Sequence, residues 1–139
     1  MFKSILLGVD GSPHALKAAK VAGELARAMQ ADLRIVAAYD PVPPYLGEPN
    51  LLDTIAARQK HAEEIIRAAL KEVGQTPTEV KTEMLEGSAA EVIIEVANTR
   101  KTDLIVVGSR GLGKLAGLLL GSQSQKIIQH APCPVLVVR

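Results

Sequence analysis

Glycines at two spacings in the second half of the chain mark where a backbone could close around an anion. Gly108-Ser109-Arg110-Gly111 follows an apolar run, and nine residues later Gly121-Ser122 opens a helical pattern. Glycine lets the main chain approach a phosphate closely, and the free N–H groups of a helix N-terminus favour a nearby negative charge by about 0.3–1 kcal/mol. Charge agrees with this reading. All 15 acidic residues lie at or before Asp103, so the stretch from Leu104 onward carries Arg110, Lys114, Lys126 and Arg139 with no carboxylate.

Two familiar phosphate motifs almost fit this stretch and fail. Gly108 to Lys114 has the glycine and lysine spacing of a P-loop, but Leu115 stands where a Ser or Thr hydroxyl must hold the metal ion. Gly111-x-Gly113-x-x-Ala116 imitates a dinucleotide fingerprint, yet no acidic residue follows downstream to take a ribose hydroxyl. A P-loop NTPase and a Rossmann dehydrogenase are both disfavoured.

The elements that would position these residues are legible in the apolar pattern. Ser4–Val9 reads as a buried strand closed by Asp10-Gly11-Ser12-Pro13, with Ser12 as N-cap and Pro13 at the first helical position. Ala18, Ala22, Leu25, Ala26 and Met29 then recur at helical spacing. Leu33–Tyr39 is a second strand, and the proline-rich segment from Pro41 to Asn50 reads as a long irregular loop that could serve as a lid or a partner surface. A helix from about Leu51 to Val73 stops at Gly74, and a weak third strand spans Thr78 to Leu85. Ser88-x-x-Glu91 opens a third helix to about Thr99, Asp103–Val107 is a fourth strand, Ser122-x-x-Gln125 opens a fourth helix, and Val135–Val138 closes the chain as a fifth strand.

This alternation predicts one α/β domain over residues 1–139: an open five-stranded parallel sheet, order 3-2-1-4-5, with helices on both faces. The chain direction reverses between strands 1 and 4, and open sheets of this kind bind ligands outside the carboxyl ends of the strands at that reversal. Asp10 to Ser12 and Gly108 to Gly111 are those ends. About a hundred residues apart in sequence, they are expected to meet.

Composition narrows the class. With 47% hydrophobic and 22% charged residues the chain is ordinary for a globular protein, and its 2% aromatic content puts core packing on Val, Ile, Leu and Ala. A formal charge of +1 makes no case for nucleic acid or an anionic membrane. The lone Cys133 cannot form an internal disulfide; it reads as a small buried hydrophobe in a reducing compartment. There is no apolar run of membrane-spanning length and the first residues lead straight into a strand, so a cytoplasmic location is expected.

Taken together, Gly-x2-Gly-x9-Gly-Ser, Val9-Asp10-Gly11-Ser12, Asp103-Leu-Ile-Val-Val-Gly-Ser-Arg-Gly111 and Pro132-Cys-Pro-Val-Leu-Val-Val138 resemble the universal stress protein family over essentially the whole chain. The glycine spacing is the one that marks its ATP-binding branch. The resemblance implies an adenine nucleotide alpha hydrolase-like fold and a homodimer formed through the C-terminal strand. It also implies ATP as ligand, sometimes with a divalent ion such as magnesium, and a role in stress tolerance or signalling. Carried over by position, it puts Asp10, with Val9, Gly11 and Ser12 around it, near the ribose or a phosphate-bound magnesium. It puts Ala38 backbone near the adenine, with Val107 walling the base. Gly108, Arg110, Gly111, Gly121, Ser122, Gln123 and Ser124 would line the ribose and phosphates. Gln123 departs from the family pattern, which has an apolar residue, commonly Val, at that position.

Structural roles compete for several of these residues. Asp10 could cap its turn, Ser122 is read as the cap of its helix, and Arg110 could be a solvated loop charge. His14 reads as an exposed polar residue, and His61 and His130 lack metal-ligand spacing to each other. No metal site made by side chains alone is expected. No residue near the site is poised as a general base, so an ATP-binding module with slow or no hydrolysis is the leading expectation. A slow magnesium-dependent ATPase and a nucleotide-free interaction module are the alternatives. A receiver domain would need clustered acids beside Asp10, and a flavin site would need aromatic walls that Phe2, Tyr39 and Tyr45 do not supply.

Overall fold

A strand that is apolar on both faces must be covered on both, which places the run from Ile5 to Val9 at the centre of a sheet. The computed structural model, which describes residues 1–47, 50–110 and 120–139, has this arrangement. Strand β1 (Ser4–Val9) is followed by helix α1 (Pro13–Met29), strand β2 (Asp32–Tyr39), helix α2 (Asn50–Val73) and strand β3 (Lys81–Glu86). Helix α3 (Ala89–Thr99), strand β4 (Leu104–Gly108), helix α4 (Ser122–His130) and strand β5 (Val135–Val138) complete it. The five strands are parallel in the order β3-β2-β1-β4-β5, as the sequence pattern predicts.

The alternation of side chains along each strand sorts the core into two layers. Ile5, Leu7, Val9, Ile35, Ala37 and Val106 point to the face covered by α1 and α2. Leu6, Val36, Ile105 and Val107 point to the face covered by α3 and α4, where Val92, Ile93, Val96 and Ile127 meet them. Register at the centre is tight: Leu7 lies beside Ile35 on one side and Val106 on the other.

Three local expectations are corrected. Strand β3 begins at Lys81, not Thr78, because Thr78 is spent on a bend: its carbonyl accepts from Thr76 Oγ1 at 2.6 Å and its own hydroxyl donates to Asp32 Oδ1 at 2.6 Å. The segment after β2 contains a short 3₁₀ turn, Pro44–Leu46, and Asn50 already belongs to α2; residues 48 and 49 lie outside the described residues. Cys133 is half-buried against the α3/α4 layer, not fully enclosed. Among the described residues, no helix is long and apolar enough to cross a membrane.

Helix α1 buries small residues almost exclusively: Ala15, Ala18, Ala19, Ala22, Gly23 and Ala26. That lets α2 approach so closely that a Cβ on Gly23 would collide with the main-chain carbonyl of Val73. In an exposed helix Gly→Ala gains about 1 kcal/mol of helix propensity. Here the collision is with backbone, which cannot rotate away, so we expect Gly23→Ala to destabilise the fold by about 1–3 kcal/mol in urea unfolding; a stabilised variant would show that the helices can part at no cost.

Burial raises the Cys133 thiol pKa, with the Asp103 carboxylate adding to the shift and a hydrogen bond to the Ile105 backbone opposing it. The folded thiol then keeps its proton above the 9.0 at which the unfolded chain releases it. Stability therefore falls as pH climbs from that value through the folded one. At neutral pH iodoacetamide should label Cys133 more slowly in the native protein than in urea; equal rates would contradict the shift.

Candidate functional site

The loop after β1 is built by short-range hydrogen bonds. Asp10 Oδ1 accepts from the Ser12 N–H at 2.9 Å, closing a turn in which Gly11 adopts φ +84°, a left-handed conformation that suits glycine. Ser12, almost completely buried, then caps α1: its Oγ accepts from the Ala15 N–H at 3.1 Å and donates to the Arg110 carbonyl at 3.3 Å. The last bond ties the end of β1 to the end of β4, joining the two glycine turns.

Gly108 to Arg110 is held from further directions. The Ser109 N–H donates to the Val138 carbonyl at 2.7 Å, and the Ser109 carbonyl accepts from the Gly121 N–H at 2.8 Å. Ser109 Oγ and His14 Nδ1 are hydrogen-bonded at 2.8 Å, with the direction set by the imidazole tautomer. The Gly108 carbonyl accepts from Ser124 Oγ at 2.9 Å. At Gly108 a Cβ would lie 2.8 Å from the His14 carbonyl carbon and 3.0 Å from the Ala15 nitrogen, so only glycine lets α1 sit this close to β4.

These contacts frame a cleft of about 420 Å³ at the carboxyl ends of the strands, within the usual range for a small-molecule site. Val9, Asp10, Ser12 and Ala38 line it from β1 and β2, and Val107, Gly108 and Arg110 line it from β4. Gly121, Ser122, Gln123 and Ser124 close it from α4. Gly11 is not in the lining; it shapes the turn behind it. Gly111 lies outside the described residues, as does Lys114.

The cleft has an apolar end and a polar end. Val36, Ile93, Val107 and Ile127 form a narrow apolar slot on the α3/α4 side of the sheet. Asp10, Asp40, Arg110 and the N-terminus of α4 form the polar rim. A second cleft of about 550 Å³ adjoins on the α2 side and shares Asp10, Ala38 and Asp40. The first cleft thus joins apolar side chains to charged groups of both signs and a helix N-terminus.

Some roles differ from those the sequence suggests. The N-cap of α4 is Gly121, with Ser122 as the first helical residue, and among the described residues no side chain caps this end. The N–H groups of its first turn have no acceptor among the described residues. Ser124 lines the cleft, but its hydroxyl proton goes to the Gly108 carbonyl. His14 is half-buried and engaged with Ser109, not exposed. Sequence reasoning gives Asp40 and the Gly87-Ser88-Ala89 wall no place in the site; the sheet order brings them to the cleft. Among the described residues, no group of three or more His, Cys, Asp or Glu is placed to hold a metal ion.

Comparison with known proteins agrees across the full length. The chain matches the model of the universal stress protein family over residues 1–139. It is 50% identical to a universal stress protein of Thermus aquaticus over 139 residues, covering 100% of both. Among solved structures it resembles the universal stress protein UspA from Lactobacillus plantarum, with TM-score 0.87, 31% identity and coverage of 99% and 98% of the two chains. It also resembles a universal stress protein in complex with cAMP, with TM-score 0.70, 30% identity and coverage of 99% and 97%.

Because Ser12 Oγ both caps α1 and anchors the start of the glycine-rich segment, Ser12→Ala should cost about 1–2 kcal/mol. Urea unfolding is the check: a midpoint equal to that of the wild type would mean that neither bond contributes.

Proposed function

The chain belongs to the universal stress protein family, and on that premise we propose that it is an ATP-binding module of stress response or signalling. The observation that carries the reading is the uncapped N-terminus of α4, which faces the same cleft as Arg110. Helix N–H groups without an acceptor among the described residues, beside a guanidinium, suit phosphate oxygens. The slot formed by Val36, Ile93, Val107 and Ile127 suits a purine ring, with the Ala38 backbone at its edge. A related protein with bound cAMP supports an adenine nucleotide as the ligand class.

Asp10 has one carboxylate oxygen committed to its turn and the other left for a ribose hydroxyl or a phosphate-bound magnesium ion. Such an ion would offset phosphate charge, and Asp10 is the side chain that would hold it. Hydrolysis is slow or absent in this reading. The half-buried His14 ring is hydrogen-bonded to Ser109, and neither residue is part of the cleft lining. Asp10 is fixed in a turn, and this reading gives the other described rim carboxylate, Asp40, no role as a base.

The working form we propose is a cytoplasmic homodimer. Strand β5 is four residues long and pairs only with β4 within the chain, and its Leu136 is exposed. A second copy along that edge would cover it.

Purified protein denatured and run on anion-exchange chromatography should release adenine nucleotide in stoichiometric amount, or the empty protein should take up ATP in calorimetry. ATP at about a hundred times its Kd should then stabilise the fold by about 2.7 kcal/mol, and Arg110→Ala should weaken ATP about tenfold while sparing adenosine. Protein that neither carries nor binds any adenine nucleotide would overturn the reading.

A further inference from the structure

Two helices present their N-termini to the cleft, and they are finished differently. At α3 the protein supplies the acceptors: Ser88 Oγ takes the Glu91 N–H at 3.4 Å, and Gln123 Oε1 takes the Ala90 N–H at 2.9 Å. At α4 no side chain among the described residues caps the end. The residue that seals α3 is thus itself in the first turn of α4, and its side chain crosses the wall between Ser88-Ala89 and Gly121-Ser122.

The chemistry of that contact fixes the amide. A backbone N–H can be met only by the carboxamide oxygen, so Oε1 belongs to α3 and Nε2 is the group left over. Among the described residues Nε2 has no hydrogen-bond acceptor, and Gln123 lines the cleft. A valine at this position could do neither job.

We propose that Gln123 determines where the cleft accepts a ligand's anion. Its oxygen closes the N-terminus of α3 to phosphate, and its amide N–H groups add neutral donors beside the open N-terminus of α4. The anionic oxygens are held at α4 alone, and the ligands so favoured carry a phosphoryl group on the nucleoside. The inference rests on the nucleotide reading above and assigns a specificity role to Gln123.

Three measurements test it. Gln123→Glu keeps an oxygen for the Ala90 N–H, so the apo protein should melt no lower than the wild type, yet it replaces the donor by a carboxylate. ATP should then bind at least about tenfold more weakly, while adenosine changes by less than about twofold. Gln123→Val removes donor and seal without adding charge; it should lower the melting temperature and weaken ATP by about three- to tenfold. In the wild type, the side-chain NH2 resonances of Gln123, assigned by their loss in Gln123→Val, should shift with ATP or AMP and stay put with adenosine. A purely structural tether would not produce that selectivity. Gln123→Glu binding ATP as the wild type does, or NH2 resonances unmoved at saturating ATP, would overturn this assignment while leaving nucleotide binding intact. Wild-type protein that binds no adenine nucleotide would overturn the functional reading and this inference with it.

Discussion

Everything at the carboxyl edge of the sheet depends on how three residues, Gly108 to Arg110, are pinned. Ser109 is bonded to β5 through its N–H, to Gly121 through its carbonyl and to α1 through its hydroxyl. Its neighbours extend the grip, with the Gly108 carbonyl held by Ser124 and the Arg110 carbonyl by Ser12. A buried main-chain group left unpaired costs about as much as a lost hydrogen bond, so a segment leaving a central strand needs such partners. Here the partners come from α1, α4 and β5. Satisfying one short stretch of backbone therefore fixes the mutual placement of the elements that border the cleft.

That arrangement explains which parts of the molecule could be read from the sequence. Strands β1 and β4 are apolar on both faces, and helices α1 and α3 carry clear caps in Ser12 and Ser88, so local pattern suffices for them. Sheet order follows from the alternation of elements, and with it the meeting of Asp10 and Gly108. What local pattern cannot carry is a contact whose partner is distant in sequence and not specified by periodicity. The Ser109–His14 bond spans 95 residues and the Gln123–Ala90 bond spans 33. The cap of α4 is Gly121 where the pattern points to Ser122, for a related reason. A Ser-x-x-Gln box looks the same whether its serine precedes the helix or opens it, and here the Gly121 carbonyl already accepts from the Gln125 N–H at 3.0 Å.

The low aromatic content has a structural counterpart. With alanines and a glycine along its buried face, α1 lies close enough to the sheet and to α2 that the α1/α2 layer is filled largely by Ala, Val, Ile and Leu. On the opposite face α3 packs larger side chains, Val92, Ile93 and Val96, into the second layer. The cleft opens on that second face. Ile93 and Ile127 belong both to the core and to the cleft lining, so the apolar slot is a continuation of the core and is preformed by the same packing that stabilises the fold.

Preformation favours holding a ligand over transforming it. A general base needs a lone pair that is free and aimed at the reacting atom; apart from Asp40 on the rim, the titratable groups nearest the cleft are already employed. Asp10 closes a turn, His14 is bonded to Ser109, and the arginine of the rim is a permanent cation that neither takes nor gives a proton. What the site retains in abundance is donors: the first turn of α4, the Arg110 guanidinium and the Gln123 amide. Donors fixed in place before binding suit a resting anion as well as a developing one. Where no group distinguishes the transition state from the bound ground state, a site lowers the energy of both alike and accelerates nothing. A module that holds a phosphorylated ligand, as proposed above, follows that logic.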